Sequence, residues 1–342
     1  MRHVVYTLSV LVIVFVAYSF YISRPAVNTE WNDAKPHVIA EPDEALTFAR
    51  SGSSLIRVTG VHDDIIHGID VTVAIGNTDD LIEAYARLGY EGLAAATGPE
   101  VSVPVNSLTT PVDFHYPHVG AGTNFSEHAD EVYLDEQPFL FPKLAQATAW
   151  NEPVDFRTHL DFEAELAMVP LSDIQSPDEK VKFGLVLCND FTDRWTLIRH
   201  LDFSEPMGTT GFAAAKGMPS FLPTGYLFVI PKSPALYESI TLELAVNGIA
   251  RQRFVAGDMI IKINDIVARA FTRAEIPFFD GDKPVRRLPS EGIPRGTLIL
   301  TGTAAGVLFK PVNLLNPGFY LQRGDRVATR TTFLGHLDNR VD

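Results

Sequence analysis

Residues 158–169 read Thr-His-Leu-Asp-Phe-Glu-Ala-Glu-Leu-Ala-Met-Val, so apolar side chains at 160, 162, 164, 166 and 168 alternate with Asp161, Glu163 and Glu165. A period of two sends alternate side chains to opposite faces of a strand, and the spacing predicts three acids on one face with the other face in the core. Like charges in a row repel. Either a solvated strand edge or a shared cation relieves them. The surroundings favour the cation, because hydrophobic residues flank the run and a second apolar run, Phe183 to Cys188, ends at Asn189-Asp190. If those two strands pair, Asp190 joins Glu163 and Glu165 as a third oxygen ligand. Hard oxygen donors suit magnesium, manganese or calcium, and the sequence has no His or Cys ligand cluster of the kind zinc uses.

Upstream, the segment Asn-Phe-Ser-Glu-His-Ala-Asp-Glu at 124–131 sets His128 and Glu131 three apart. On a helical turn that spacing puts both on one face, where a carboxylate can orient and charge-stabilise an imidazole. Histidine titrates near neutral pH, which makes such a pair a candidate general base. The same spacing also describes an ordinary surface ion pair, so by itself it decides nothing.

The elements that must position these residues follow from the rest of the chain. Its 342 residues are too many for one minimal core and suit two folded units, or one large unit with an appendage. Val4 to Ile22 carries only apolar, aromatic and small hydroxyl side chains over about the length needed to cross a bilayer. The stretch ends in aromatic residues without a small-residue cleavage site, so residues 1–24 read as an uncleaved anchor, with a signal peptide as the alternative. Arg2 and Arg24 balance each other across it, and the leaning is towards export of the enzyme domain. Residues 25–44 are polar, proline-bearing and aperiodic, as in a tether. From 45 to 118 short alternations such as Leu55 to Val58 and Val71 to Ile75 predict strands, and Asp79 to Leu88 predicts a helix, giving a small α/β region. Residues 119–342 are strand-rich, with runs at Leu242 to Asn247, Thr297 to Thr301 and Arg326 to Thr332, so the second unit is α+β and mainly β. A formal charge of −14 repels phosphate backbones and argues against a nucleic-acid partner. The single cysteine, Cys188, forms neither an intrachain disulfide nor a redox pair.

Taken in order, the motifs resemble those of the fumarylacetoacetate hydrolase family across roughly Val119 to Val341. The chain reads VGAGTNFSEHADE, LDFEAEL, NDFTDRW, AKGMPSFLPTG and LILTGTAAGV, followed by RGD and FLGHLDNRV. The family shows G-x-N-Y-x-x-H-x-x-E, an E-x-E strand, N-D-x-[ST]-x-R, A-K…P-x-G and T-G-T at corresponding places. The resemblance implies a mixed β-sheet roll and a homodimer. It also implies roles: Glu163, Glu165 and Asp190 as ligands for magnesium or manganese, His128 with Glu131 as activators of water, and Lys216 facing developing negative charge. Arg194 and Thr303 would hold carboxylate or keto oxygens, and Asp161 would be a structural neighbour. Each of Lys216, Arg194 and Thr303 has an ordinary structural reading as well: a surface lysine, a surface ion pair and the close of a glycine turn.

The implied reaction is metal-dependent hydrolysis of a C–C bond in an acylpyruvate or related β-diketo acid, with a small keto acid as the partner. Decarboxylation, isomerisation or hydration of an oxo-dicarboxylate is the second expectation, and a membrane-tethered binding protein without turnover is the third. Departures from the family pattern sit near the substrate: Gly217-Met218-Pro219 follows Lys216, Ala304 stands where a proline follows T-G-T, and Thr272 to Arg295 reads as an inserted surface segment or lid.

Overall fold

The strand-like runs gather mainly into one large mixed sheet and a smaller antiparallel one. The computed structural model describes residues 2–22, 31, 38–132, 137–272, 276–285 and 292–342. Its largest sheet has ten strands, in the order Glu100–Pro104, Ile65–Asp70, Ser54–His62, Ala45–Ser51, Phe228–Pro231, Phe183–Asn189, Ala164–Pro170, Thr297–Leu300, His115–Gly122 and Phe139–Lys143. Thr297–Leu300 runs parallel to His115–Gly122 and the other neighbours are antiparallel. The strands of the N-terminal region thus extend the sheet that carries the acids, and residue 118 falls inside a strand of it.

A second, antiparallel sheet of four strands, Ile249–Val255, Thr241–Val246, Arg326–Thr331 and His336–Arg340, packs against the first. Leu242, Leu244, Val327 and Leu337 of this sheet share one buried cluster with Leu166, Met168, Leu185 and Leu187 of the large one. Central strands that are covered on both faces read as continuous apolar runs, which is why Ala164–Pro170 and Phe183–Asn189 are buried at every position. The outcome is an α+β fold. At the N-terminus, the helix Arg2–Ile22 is long and apolar enough to cross a membrane over Val5–Ile22.

Three local expectations need correction or qualification. Val71 to Ile75 is a run of turns, not a strand. Asp70 Oδ1 accepts from Thr72 N and Thr72 Oγ1, Ile75 N bonds back to Val71 O, and Gly76 follows at φ +91°, so side-chain capping of a turn wins over the alternation. The acidic strand at 158–169 is broken after Asp161, because Phe162 N donates to Asp161 Oδ1 and Glu163 N to Asn189 Oδ1 in place of ladder bonds. Of the inserted segment, Phe278–Asp280 and Lys283–Val285 form a hairpin, while 273–275 and 286–291 lie outside the described residues. The helix near residue 80 spans Leu81–Ala95 with a break at Gly89, whose φ of +64° and ψ of −174° are not helical, and it is capped by Asp80 through its bond to Ile82 N.

Candidate metal centre

The register of two neighbouring strands builds the site. Ala164 pairs with Asn189 and Glu165 with Cys188, so the end of one strand meets the end of the other, and Asp190 N donates to Glu163 O at 2.9 Å. One carboxylate oxygen from each of Glu163, Glu165 and Asp190 lies within 4.8 Å of the others, and all three residues are buried. The smaller sheet fixes their backbone: Gln252 Oε1 accepts from Ala164 N at 3.0 Å, and Gln252 Nε2 donates to Thr303 Oγ1 at 2.9 Å. Gly302 closes the site from the third side. Its N–H donates to Glu165 Oε2 at 2.7 Å, and its φ of +92° leaves a Cβ only 2.9 Å from Asn124 Cβ and 3.0 Å from Ala121 O, so only glycine fits.

Buried charge must be matched, and most of it is. Arg194 donates through Nε to Asp161 Oδ2 at 2.8 Å and through Nη2 to Glu163 Oε1 at 2.6 Å. Lys216 Nζ bridges Glu163 Oε2 at 2.7 Å and Asp190 Oδ2 at 2.8 Å. Lys143 Nζ donates to Lys216 O and Phe221 O and faces Asp190 Oδ1 at 2.7 Å without hydrogen-bond alignment. The three cations pair with Asp161, Glu163 and Asp190, which leaves Glu165 as the acid without a cation of its own.

The protonation preferences follow from that pairing. Burial opposes the charge on Glu163, yet Lys216 and Arg194 outweigh it and hold the carboxyl down at about 2. Burial, with Asp190 and Glu163 nearby, pushes Glu165 well above the usual carboxylate range. A proton or a positive ion relieves Glu165. An ionised carboxylate offers about four acceptor positions, so Glu163 and Asp190 retain free lone pairs beyond their bonds to Arg194 and Lys216. Three buried hard-oxygen donors around one surplus negative charge fit a divalent cation such as magnesium or manganese.

His128 and Glu131 sit on the short helix Ser126–Glu131. His128 Nδ1 stands 3.6 Å from Glu131 Oε2, an ion-pair distance longer than a hydrogen bond, and has no hydrogen-bond partner among the described residues. Glu131 also accepts from Gly306 N at 3.0 Å and from Lys310 Nζ. Burial works against the Glu131 charge, but His128 and Lys310 hold its carboxyl below the ordinary value. His128, Glu163, Arg194, Lys216 and Thr303 all line one cavity of about 310 Å³.

Two residues assigned to oxygen binding are already engaged. Thr303 donates its proton to Ala164 O at 2.8 Å, so the hydroxyl braces the acidic strand. Arg194 is tied to two acids. Asp161 accepts from Arg194, Phe162 N, Leu308 N and Phe309 N, which makes it the bracket between the acidic strand and the 308–309 segment. Sequence reasoning missed Lys143, Gln252 and Gly302 N. Lys143 had a readable signal, since it is the lone charge closing the apolar run Phe139–Lys143 and is fully buried.

Comparison with known proteins supplies the lineage. Residues 117–342 match the family described as fumarylacetoacetate (FAA) hydrolase C-terminal. An uncharacterised protein of Staphylococcus saprophyticus is 27% identical over 230 residues, covering 65% of this chain and 67% of its own. The fold resembles a putative HpcE protein from Mycobacterium smegmatis, with TM-score 0.64 and 21% identity over 86% of this chain and 99% of that one. It also resembles the fumarylacetoacetate hydrolase of Exiguobacterium antarcticum, with TM-score 0.59 and 24% identity over 87% and 99%. Because the match takes in more than half of its length, the chain belongs to the fumarylacetoacetate hydrolase family.

Proposed function

We propose that the protein hydrolyses a C–C bond in an acylpyruvate or related β-diketo acid, using magnesium or manganese held by Glu163, Glu165 and Asp190. The observation that carries this reading is a buried imidazole with an unsatisfied Nδ1, opening on the same cavity as Glu163 and Lys216. When bound, the divalent ion supplies Lewis-acid polarisation of the substrate's oxygens. His128 accepts a proton from water, and Glu131 holds the ring and its charge once Nδ1 closes the present 3.6 Å gap. The water oxygen bonds to the acyl carbonyl carbon, and the bond from that carbon to the methylene breaks. The methylene carbon regains a proton, so one water yields one carboxylic acid and one pyruvate. Lys216 spends two protons on Glu163 and Asp190, which leaves the third for an oxygen that gains negative charge.

In this reading the N-terminal helix anchors the enzyme to a membrane, with the folded part exported. The functional test measures acylpyruvate turnover by full-length protein with Mn²⁺, alongside His128→Asn. We expect kcat/KM to fall about 10²- to 10⁴-fold in the variant. Oxaloacetate decarboxylation that survives the substitution, without acylpyruvate cleavage in the wild type, would replace hydrolysis with the decarboxylase reading.

A further inference from the structure

The wall of the cavity away from the carboxylates is apolar. Phe139, Phe141, Leu197, Met207 and Phe212 form a buried cluster separate from the main core, with the Phe212 ring 5.0 Å from that of Phe139 and 5.2 Å from that of Phe141. Phe203 continues this wall to the rim, where it is 75% exposed, and Pro311 and Leu314 line the other side.

The charged residues that line the cavity are few: Glu163, Arg194 and Lys216, besides His128. The cations lining the cavity, apart from His128, are Arg194 and Lys216, and both are committed to acids of the metal centre. Each is also backed by a ring: the Arg194 guanidinium lies 5.4 Å from the centroid of Phe309, and Lys216 Nζ lies 5.3 Å from that of Phe141. Among the described residues, the two basic side chains beside the apolar wall are thus already paired with acids, and a second carboxylate would find no uncommitted cation lining the cavity. A remote carboxylate buried there would lose its hydration without a partner, whereas a hydrocarbon tail would gain from leaving water.

We propose that this cavity selects a monocarboxylic β-diketo acid with an uncharged alkyl or aryl tail, the tail lying along Phe139, Leu197, Met207 and Phe212. The proposal rests on the keto-acid reading of the site. A cavity of about 310 Å³ has room for on the order of ten water-sized groups, taking roughly 30 Å³ for each, so a diketo-acid head of about eight heavy atoms leaves roughly two for the start of a tail, the rest of which would extend towards the exposed Phe203. The surroundings of the mouth agree with an apolar ligand. The segment that contributes Pro311 and Leu314 continues to Phe319, whose ring meets that of Phe20 near the end of the apolar N-terminal helix at 5.5 Å, and Leu315 between them is 77% exposed.

The test uses full-length protein in mild detergent with Mn²⁺ and two readouts. Calorimetry measures binding of 2-oxoalkanoates of increasing chain length and of the matching 2-oxo-dicarboxylates. Turnover is followed with acetylpyruvate, hexanoylpyruvate, benzoylpyruvate and fumarylpyruvate. Affinity should rise roughly three- to fourfold per methylene until the wall is covered, as expected for burial of each CH₂. The dicarboxylates should bind at least about tenfold more weakly than monoacids of equal length. Leu197→Arg should reverse that order by placing a cation on the wall. Equal or tighter binding of the dicarboxylates by the wild type would overturn the tail assignment, whatever the turnover. A preserved preference for apolar tails without cleavage of any acylpyruvate would instead sustain the tail assignment and sink the hydrolase reading.

Discussion

Lys143 offers the sharpest check on how the centre holds together. It is fully buried, donates at 2.6 Å to Lys216 O and at 2.8 Å to Phe221 O, and faces Asp190 Oδ1 at 2.7 Å. Lys143→Met keeps the side chain's length and deletes the charge and the donors. Two buried carbonyls then lose a partner, at about 1–3 kcal/mol for each group left unsatisfied. Asp190 loses one of its two cations, and breaking a buried ion pair from one side costs about 3–5 kcal/mol. Part of this is offset, because burial itself presses the Lys143 ammonium below its ordinary pKa and methionine carries no such desolvation cost. The losses sum to roughly 5–11 kcal/mol before that offset, so the net expectation is a loss of at least about 3 kcal/mol, read as a shift of the urea midpoint with an unchanged slope. Lys143→Gln retains a donor without the charge and should recover roughly 1–2 kcal/mol of the loss. If Lys143→Met unfolds within about 1 kcal/mol of the wild type, the pairing described for the buried acids and bases is wrong.

Other predictions address the ion, the histidines and the anchor. Glu165→Gln should weaken Mn²⁺ binding about 100-fold or more, measured by calorimetry, while stability in chelator at pH 8 holds or rises because the acid without a cation is gone. His118 is held down at about 3, chiefly by burial and then by Lys143 and His115, so the folded state refuses a proton that the unfolded chain takes near 6.5. Its contribution is complete above about pH 6.5 and is lost as pH falls towards 3, at up to about 1.4 kcal/mol per pH unit. His118→Gln should flatten the fall in urea stability between pH 6.5 and 5 by about 2 kcal/mol. Full-length protein should stay with membranes through alkaline carbonate washing, and its release to the supernatant would count against an integral anchor.

The acids were legible because β-periodicity and a second apolar run ending in Asn189-Asp190 are local signals, and the ladder joining Ala164 to Asn189 is the pairing those runs suggest. The break after Asp161 was not legible, since it depends on Asn189, 26 residues downstream in the bond to Glu163 N. Long-range partners hid the rest. Gln252 reaches Ala164 from another sheet, and Gly302 offers a backbone N–H that no side-chain pattern announces. For Lys216 only the family resemblance implied a charge facing the substrate, and its bonds to Glu163 and Asp190 show how much of that charge the acids take up. At Val71 to Ile75 the alternation was misleading, because Val73 is 80% exposed and a turn capped by Asp70 has the same apolar spacing as a strand.

The stretch from Gly306 to Lys310 is gripped by acids from two directions. Glu131 takes Gly306 N and Lys310 Nζ, and Asp161 takes Leu308 N and Phe309 N. The cavity-lining Phe309, the carboxylate beside the imidazole and the carboxylate that holds the guanidinium are therefore one mechanical piece. In the proposed reaction, a change in that stretch would disturb proton transfer and ligand geometry at once. Of the apolar wall, Met207 lies off the two short helices that carry Arg194 and Lys216, so in the proposed reading it is the position a lineage could vary for a new tail with least disturbance to the acids.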